Sequence, residues 1–147
     1  MLTAELRFDI DLLARRLVHA ADWVAVHPEL SNLPVGFFGA STGAGGALVA
    51  AAERSDFIRA VVSRGGRPDL AGSSLQHVKA PTLLIVGGRD EGVIGLNEAA
   101  RSQLSGIVEL AIVPGATHLF EEPGALGEVA QMATDWFQLH LVTARRG

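Results

Sequence analysis

The sequence contains no cysteine, which excludes a disulfide framework, a thiolate metal site and a cysteine nucleophile. It also has no run of basic residues, and its formal net charge of -4 argues against nucleic acid as a partner. No cluster of histidines and carboxylates stands at metal-ligand spacing, so we expect neither a metal ion nor a cofactor. The chemistry of the protein is therefore expected to rest on ordinary polar side chains.

A signal-peptide core is missing as well, because residues 1–11 alternate charged with apolar side chains. A cytoplasmic location is therefore the expectation. One uncharged run, residues 30–52, is long enough to cross a bilayer. It contains Pro34 and five glycines, which interrupt its apolar character. A strand, a tight turn and a helix inside a soluble domain fit this run better, and we expect no membrane contact.

The sequence does have enough apolar residues to build a core. Hydrophobic residues make up 48% of the 147 positions and charged residues 19%, which excludes a disordered chain. A chain of this length forms one domain of ordinary size and buries roughly two-thirds of its unfolded surface. No internal repeat or linker divides it, so residues 1–147 are expected to form a single domain.

Apolar runs and helical periodicity alternate along the chain. A first amphipathic helix, with Phe8 on its apolar face, is predicted to end near His27. Further helices are predicted at residues 43–52 and 96–104 and from Pro123 onward. Residues 69–79 are expected to form a loop, and residues 143–147 are expected to fray. Trp23 and Trp136 are expected to lie in the core. Strands are predicted at residues 33–38, 58–63, 82–86 and 107–113. Continuous apolar strands separated by helices predict an α/β fold of about four parallel strands, with helices on both faces.

Three residues with catalytic potential each follow a predicted strand. Ser41 lies in a G-x-S-x-G pattern, Asp90 follows a Gly-Gly-Arg turn, and His118 follows a Gly-Ala-Thr turn. Because sites in such sheets form at the carboxyl ends of the strands, we expect these side chains to lie together. Serine, aspartate and histidine in this order can supply a nucleophile, an orienting acid and a base.

The residues around Ser41 also suit a nucleophilic serine. A serine on a sharp strand-to-helix turn needs small neighbours, and Gly39 and Gly43 supply them. The backbone N–H of Thr42, at the start of the next helix, could stabilise an oxyanion. The imidazole would take the serine proton, while the aspartate would hold the other ring nitrogen and fix its tautomer.

Simpler roles for the same residues stay open. The serine could cap the next helix, His118 could be a surface histidine, and Asp90 could be an N-cap. Asp69, which follows the second strand, and Glu91 are alternative acids, although Asp90 lies closer to its strand end. The glycines within residues 42–46 do not fit a dinucleotide loop, because the G-x-G-x-x-G spacing fails, and a P-loop would need a lysine.

Four segments of the chain carry a family resemblance. They read VGFFGASTGA at residues 35–44, VVSRGGRPDL at 61–70, PTLLIVGGRD at 81–90 and PGATHLFEEPG at 114–124. They resemble the α/β-hydrolase superfamily, and specifically its dienelactone-hydrolase-like branch. The resemblance runs over nearly the whole chain. It implies that the nucleophile, acid and base are Ser41, Asp90 and His118.

Two features depart from that branch. Dienelactone hydrolases carry cysteine where this chain has Ser41, so a general ester is the expected substrate. The chain also resembles only the C-terminal part of the fold, without its first strands and without the loop that supplies a second oxyanion donor. The strand from Leu33 to Phe38 would then have a bare apolar edge, and we expect a homo-oligomer, a two-fold dimer, that covers it.

The leading hypothesis is a serine hydrolase of the carboxylesterase kind, which cleaves small acyl esters through an acyl-enzyme. The alternative is a catalytically weak remnant of the hydrolase fold that serves as an interaction or regulatory domain. A thioesterase or amidase is a third interpretation. The segment between the second and third strands, where the family usually has a lid, is at most residues 69–79. Such a short segment predicts a shallow, open pocket that suits small substrates.

Overall fold

The structure, a computed structural model, describes residues 3–142 and shows strands alternating with helices along them. No helix in this part of the chain is long and apolar enough to cross a membrane. In chain order the elements are α1 (Ala4–Val26), β1 (Val35–Ala40), α2 (Thr42–Glu53), β2 (Ile58–Arg64), a 3₁₀ segment (Pro68–His77), β3 (Thr82–Gly87), α3 (Glu91–Arg101), β4 (Val108–Val113), α4 (Ala125–Phe137) and a π-helical turn (Gln138–Val142).

The four strands form one parallel sheet in the order β1-β2-β3-β4. All six residues of β3 are buried, as a parallel sheet covered on both faces requires. The predicted α/β fold with four parallel strands is therefore confirmed. Since every strand runs in the same direction, the turns after β1, β3 and β4 lie at one edge of the sheet, where the three candidate residues were expected.

Two apolar clusters cover the sheet, one on each face. On one face α2, with α1 packed against it, covers Val61 and Leu84. On the other face α4 covers Ile85, and Trp136 belongs to this cluster. Side chains of successive strand residues point to opposite faces, which is why Leu84 and Ile85 belong to different clusters. The prediction that Trp136 is a core residue is confirmed.

The first helix lies where it is predicted, but the face that it buries differs. A Cβ atom at Gly46 of α2 would lie 2.8 Å from Cβ of Leu13, so the two helices approach closely and small residues are favoured between them. Phe8 is 64% exposed and Trp23 is 59% exposed, so the predicted burial of these two side chains is wrong. The residues that α1 buries are Ile10, Ala14, Val18 and Ala21.

Other boundaries differ from their predictions for local reasons. Helix α3 begins at Glu91 rather than at residue 96, because two glycines in its first half weaken the helical pattern. Helix α4 begins at Ala125, after Gly124 at φ 83°, so Pro123 precedes the helix and does not open it. The loop expected at residues 69–79 is largely the 3₁₀ segment. The tail at residues 143–147, expected to fray, lies outside the described residues.

Strand β1 stands at an edge of the sheet. Within residues 3–142 it pairs only with β2, and its other side has no strand neighbour. Phe38 on this strand is 50% exposed, and Leu33 just before it is 49% exposed. The expected self-association through this edge stays a prediction.

Candidate active site

Ser41 lies on the turn between β1 and α2 with φ 53° and ψ -126°, in the left-handed region. A residue other than glycine pays about 1–3 kcal/mol for such a conformation, so its surroundings must hold it there. Backbone hydrogen bonds do so: the Ser41 N–H donates to the carbonyl of Arg64 at 3.3 Å, and the Arg67 N–H donates to the carbonyl of Ser41 at 3.0 Å. The Ser41 side chain makes no capping hydrogen bond to α2 within the described residues, so it does not act as a helix cap.

The two glycines of the G-x-S-x-G pattern are in different surroundings. A Cβ atom at Gly39 would lie 2.7 Å from the carbonyl oxygen of Gly43 and 2.8 Å from Cα of Ala44, so only glycine fits there. At Gly43, by contrast, an added Cβ would meet no atom of the described chain within 4 Å outside its own helix turn. The expectation of crowding therefore holds at Gly39 and is wrong at Gly43.

His118 contacts both of the other candidate residues. Its Nε2 atom lies 3.4 Å from Oγ of Ser41, and its Nδ1 atom lies 2.7 Å from Oδ2 of Asp90. The serine contact is at the long end of a hydrogen bond, as is common in sites without a bound substrate. The side chain of Asp90 is 17% exposed and that of His118 is 39% exposed. The three residues thus form one connected line of side chains that ends in a carboxylate shielded from water.

The alternative acids lie in other contacts. Both oxygens of Asp69 accept hydrogen bonds from the guanidinium of Arg67, at 3.0 and 2.8 Å. Glu91 is exposed at the first position of α3. Asp90 does occupy the N-cap position of that helix, yet its side chain makes no capping bond among the described residues and contacts the imidazole. Of the three carboxylates considered from the sequence, Asp90 is the one that the structure places against His118.

Thr42 is the first residue of α2 and directly follows the serine. The N–H groups of a first helical turn have no acceptor within the helix, and they lie at the positive end of the helix dipole. The Thr42 N–H therefore lies beside Ser41 at a helix end that favours negative charge, and its use as an oxyanion donor stays a prediction. Within residues 3–142, no group of three or more histidine, aspartate and glutamate side chains could hold a metal ion.

One residue of the site was missed at the sequence level. Glu122 accepts hydrogen bonds from the backbone N–H of Thr117 at 3.0 Å and from its hydroxyl at 2.7 Å. These hydrogen bonds hold the pKa of the Glu122 carboxyl below its usual value. The signal was a glutamate four residues after the histidine, in a turn that precedes a helix. Neighbouring Glu121 makes the pattern ambiguous, because nothing in the sequence distinguishes the two carboxylates.

Known proteins with related sequences match most of this chain. A curated relative from Mycobacterium tuberculosis (strain H37Rv), named "Putative phosphoribosyl transferase", is 63% identical over 134 residues, which are 91% of this chain and 30% of the relative. The crystal structure of a dienelactone hydrolase from Anabaena variabilis is also 63% identical and covers 91% of this chain with a TM-score of 0.89. This chain covers 62% of that hydrolase, and so it spans less than two-thirds of either relative.

A more distant structure shares the fold alone. Est1E from Butyrivibrio proteoclasticus is 17% identical to this chain and matches 88% of it with a TM-score of 0.71, over 69% of its own length. The family model described as the dienelactone hydrolase family matches residues 5–143, which include the strands and the turns that carry Ser41, Asp90 and His118. The chain therefore belongs to the dienelactone hydrolase family, within the α/β-hydrolase fold.

Proposed function

We propose that this chain is a serine hydrolase that cleaves small carboxylic esters through an acyl-enzyme. The observation that carries the proposal is the continuous contact from Oγ of Ser41 through the imidazole of His118 to the carboxylate of Asp90. A hydroxyl, an imidazole and a shielded carboxylate in this order are the groups that nucleophilic acyl transfer requires. Membership of a hydrolase family supports the same reaction class.

The proposed reaction starts when Oγ of Ser41 attacks the ester carbonyl carbon while Nε2 of His118 takes the hydroxyl proton. The carbonyl oxygen becomes an oxyanion, and the backbone N–H of Thr42 stabilises it. Collapse of this intermediate breaks the ester C–O bond, and the imidazolium returns its proton to the departing alcohol. Water then attacks the acyl-serine with His118 as base, which releases the acid and restores the hydroxyl.

Asp90 does not exchange a proton in this scheme. Its carboxylate accepts the Nδ1–H of His118 and so leaves Nε2 free to accept the serine proton. The same carboxylate stabilises the imidazolium that forms after attack. Because the Asp90 side chain is largely shielded from solvent, that stabilisation is stronger than it would be in open water.

Small substrates fit the surroundings of the site. The imidazole is 39% exposed, and the connection after β2 is the 3₁₀ segment Pro68–His77 rather than a long lid. One oxyanion donor, Thr42, can be assigned within the described residues, and loss of a donor costs about 3–4 kcal/mol in the barrier. We therefore expect slow turnover, and activated esters of short acids are the first substrates to test.

The name of the mycobacterial relative suggests another reaction, phosphoribosyl transfer. This chain matches 30% of that protein, so the named activity can belong to a part that the match does not include. The contacts of Ser41, His118 and Asp90 favour acyl transfer for the matched part.

A fluorophosphonate probe, which reacts only with activated serines, tests the proposal directly. We expect the probe to label the wild-type protein and to leave Ser41→Ala unlabelled, and p-nitrophenyl acetate to be hydrolysed by the wild type alone. Comparison with the thioester and the amide of the same acid separates an esterase from a thioesterase or an amidase. A folded wild-type protein that neither binds the probe nor hydrolyses the ester would instead favour an interaction or regulatory domain.

A further inference from the structure

The turn that carries His118 connects β4 to α4 and is held at several points. The carbonyl of Ala116 accepts a hydrogen bond from the N–H of Arg89 at 3.0 Å, which joins this turn to the one that carries Asp90. Phe120 is 1% exposed and adopts φ 56°, a strained conformation that its buried ring helps to maintain. The chain is therefore fixed before and after His118, but these contacts leave the N–H and the hydroxyl of Thr117, the residue that directly precedes it, to other partners.

Glu122 supplies that remaining contact. One carboxylate oxygen accepts the backbone N–H of Thr117 and the other accepts its hydroxyl, so a single side chain closes the turn around His118. The carbonyl of Thr117 in turn accepts the N–H of Phe120 at 3.0 Å. Hydrogen bonds to an ionised carboxylate are stronger than those between neutral groups. The Glu122 carboxyl is ionised at neutral pH, and its hydrogen bonds from Thr117 lower its pKa further.

We propose that Glu122 is a positioning residue for His118. Glu122 holds Thr117 in place, so that the imidazole of the next residue contacts Ser41 and Asp90 together. Glu122 acts through Thr117 and has no contact with the reacting atoms. The proposal rests on the proposed hydrolase function, since it assigns a role within the same site. It adds to that function a second carboxylate, besides Asp90, that positions the catalytic base.

The geometry makes His118 sensitive to such a contact. The Nε2 atom stands 3.4 Å from Oγ of Ser41, so a small rotation of the turn takes the pair out of hydrogen-bonding range. A misplacement of about 1 Å at a reacting group can cost about 10²-fold in rate. The Asp90 contact at 2.7 Å would be strained by the same movement.

The test compares Glu122→Gln with Glu121→Gln, the same change one position earlier at an exposed residue. The glutamine carbonyl can accept the Thr117 N–H, but its NH2 group can only donate to the hydroxyl, so neither contact keeps the ionised acceptor that strengthens it. We expect kcat for p-nitrophenyl acetate to fall by about 10- to 100-fold in Glu122→Gln, with KM unchanged and the protein folded by circular dichroism. Glu121→Gln should keep the wild-type kcat.

A second pair of variants tests the other end of the contact. Thr117→Val removes the hydroxyl donor and should lower kcat in the same direction, while Thr117→Ser keeps the donor and should restore it. This pair also decides the question if Glu122→Gln does not fold. A role in stability alone would lower the unfolding temperature of these variants and leave kcat per folded molecule at the wild-type value, which would overturn the proposal.

A measurement that needs no catalysis separates this proposal from the proposed function. Long-range ¹H–¹⁵N spectra of the histidine rings report the tautomer of His118, with His118→Gln used to assign its signals. We expect a single tautomer with the proton on Nδ1 in wild type and in Glu121→Gln, and a mixture of tautomers in Glu122→Gln. If the wild-type protein hydrolyses no ester but the tautomer still depends on Glu122, the proposed function fails and the positioning role stands. Unchanged tautomer and kcat in Glu122→Gln would refute the positioning role even in an active enzyme.

Discussion

Nδ1 of His118 lies 2.7 Å from Oδ2 of Asp90, whereas Nε2 of the same ring stands 3.4 Å from Oγ of Ser41. For the proposed reaction this means that the orienting contact is already formed without a substrate, whereas the contact to the nucleophile has to shorten. The short Asp90 contact favours the tautomer with the proton on Nδ1. The reactivity of Ser41 should therefore depend on the Asp90 carboxylate more than on any other acidic group nearby.

The first prediction concerns the acid. In Asp90→Asn the amide can donate to Nδ1, which would place the ring proton on Nε2 and prevent it from accepting the serine proton. We expect the rate of Ser41 labelling and kcat for p-nitrophenyl acetate to fall by up to about 10⁴-fold, the effect typical of a triad aspartate. Stopped-flow measurement of the acylation phase gives this number directly.

The matched controls for that variant are the other two carboxylates considered from the sequence. Asp69→Asn weakens the pair with Arg67, and Glu91→Gln changes an exposed residue, but neither side chain contacts the imidazole. Both should acylate at close to the wild-type rate. An Asp69→Asn protein that loses activity as completely as Asp90→Asn would show that the acid has been misassigned.

The second prediction compares the glycines on either side of the serine. A methyl group at Gly39 would press on the backbone of Gly43 and Ala44, which no side-chain movement can relieve. We expect Gly39→Ala to lower the free energy of unfolding by about 1–3 kcal/mol and to slow the labelling of Ser41. Urea unfolding, followed by circular dichroism, measures the first effect.

Gly43→Ala is the control for Gly39→Ala, because it adds the same methyl group to open space. Replacement of glycine by alanine where the backbone conformation suits alanine gains about 0.4–1 kcal/mol, so this variant should be at least as stable as wild type. Equal loss of stability in both variants would contradict the assignment of the crowding to Gly39 alone.

The contrast between these glycines shows which features of the structure can be predicted from the sequence and which cannot. The four strands were predictable because each is a largely apolar run, and their parallel direction followed from the helices between them. Ser41, Asp90 and His118 were predictable as neighbours because each directly follows a strand of a parallel sheet. Which of two similar glycines is crowded, however, depends on the path of the chain after the turn, and no local pattern records it.

The same reason explains the other errors. Trp23 occupies a helical position that looks apolar, but the face of α1 that the structure buries carries Ile10, Ala14, Val18 and Ala21 instead. The start of α3 was placed too late because Gly92 and Gly95 weaken the local helical signal. Glu122 could not be singled out from Glu121 because its role depends on a turn that returns the carboxylate to Thr117.

The third prediction concerns the free edge of β1. Within residues 3–142 this edge is unpaired, and Phe38, Leu126 and Arg64 line a shallow groove of about 310 Å³ beside it. A two-fold axis lets such an edge pair with its own copy, so a second copy of this chain is the partner that we expect. Light scattering should show a dimer at micromolar concentration.

A charge on the exposed face of β1 tests that expectation. Phe38→Lys would place two like charges near the axis and should shift the protein to monomer. Ile107→Lys changes a side chain that is 63% exposed just before β4, on the opposite edge of the sheet, and should leave the dimer intact. A wild-type protein that is monomeric at micromolar concentration would rule out pairing through this edge.

The last prediction concerns pH and His140, which lies against Trp136 with 4.3 Å between the ring centroids. Burial lowers the pKa of His140 below its usual 6.5, although Glu109 acts in the opposite direction. Between that lowered pKa and pH 6.5 the unfolded chain binds a proton that the folded chain does not, which favours the unfolded state. The stability that the neutral ring gives the folded state above pH 6.5 is therefore lost as the pH falls from 6.5 through the lower pKa of the folded state. In His140→Phe, which keeps a ring against Trp136 but cannot titrate, the free energy of unfolding should fall less steeply between pH 7 and pH 5 than in wild type.

Urea unfolding at several pH values measures both slopes. His77→Phe is the control for removal of an exposed imidazole. Equal slopes in wild type and His140→Phe would contradict the prediction.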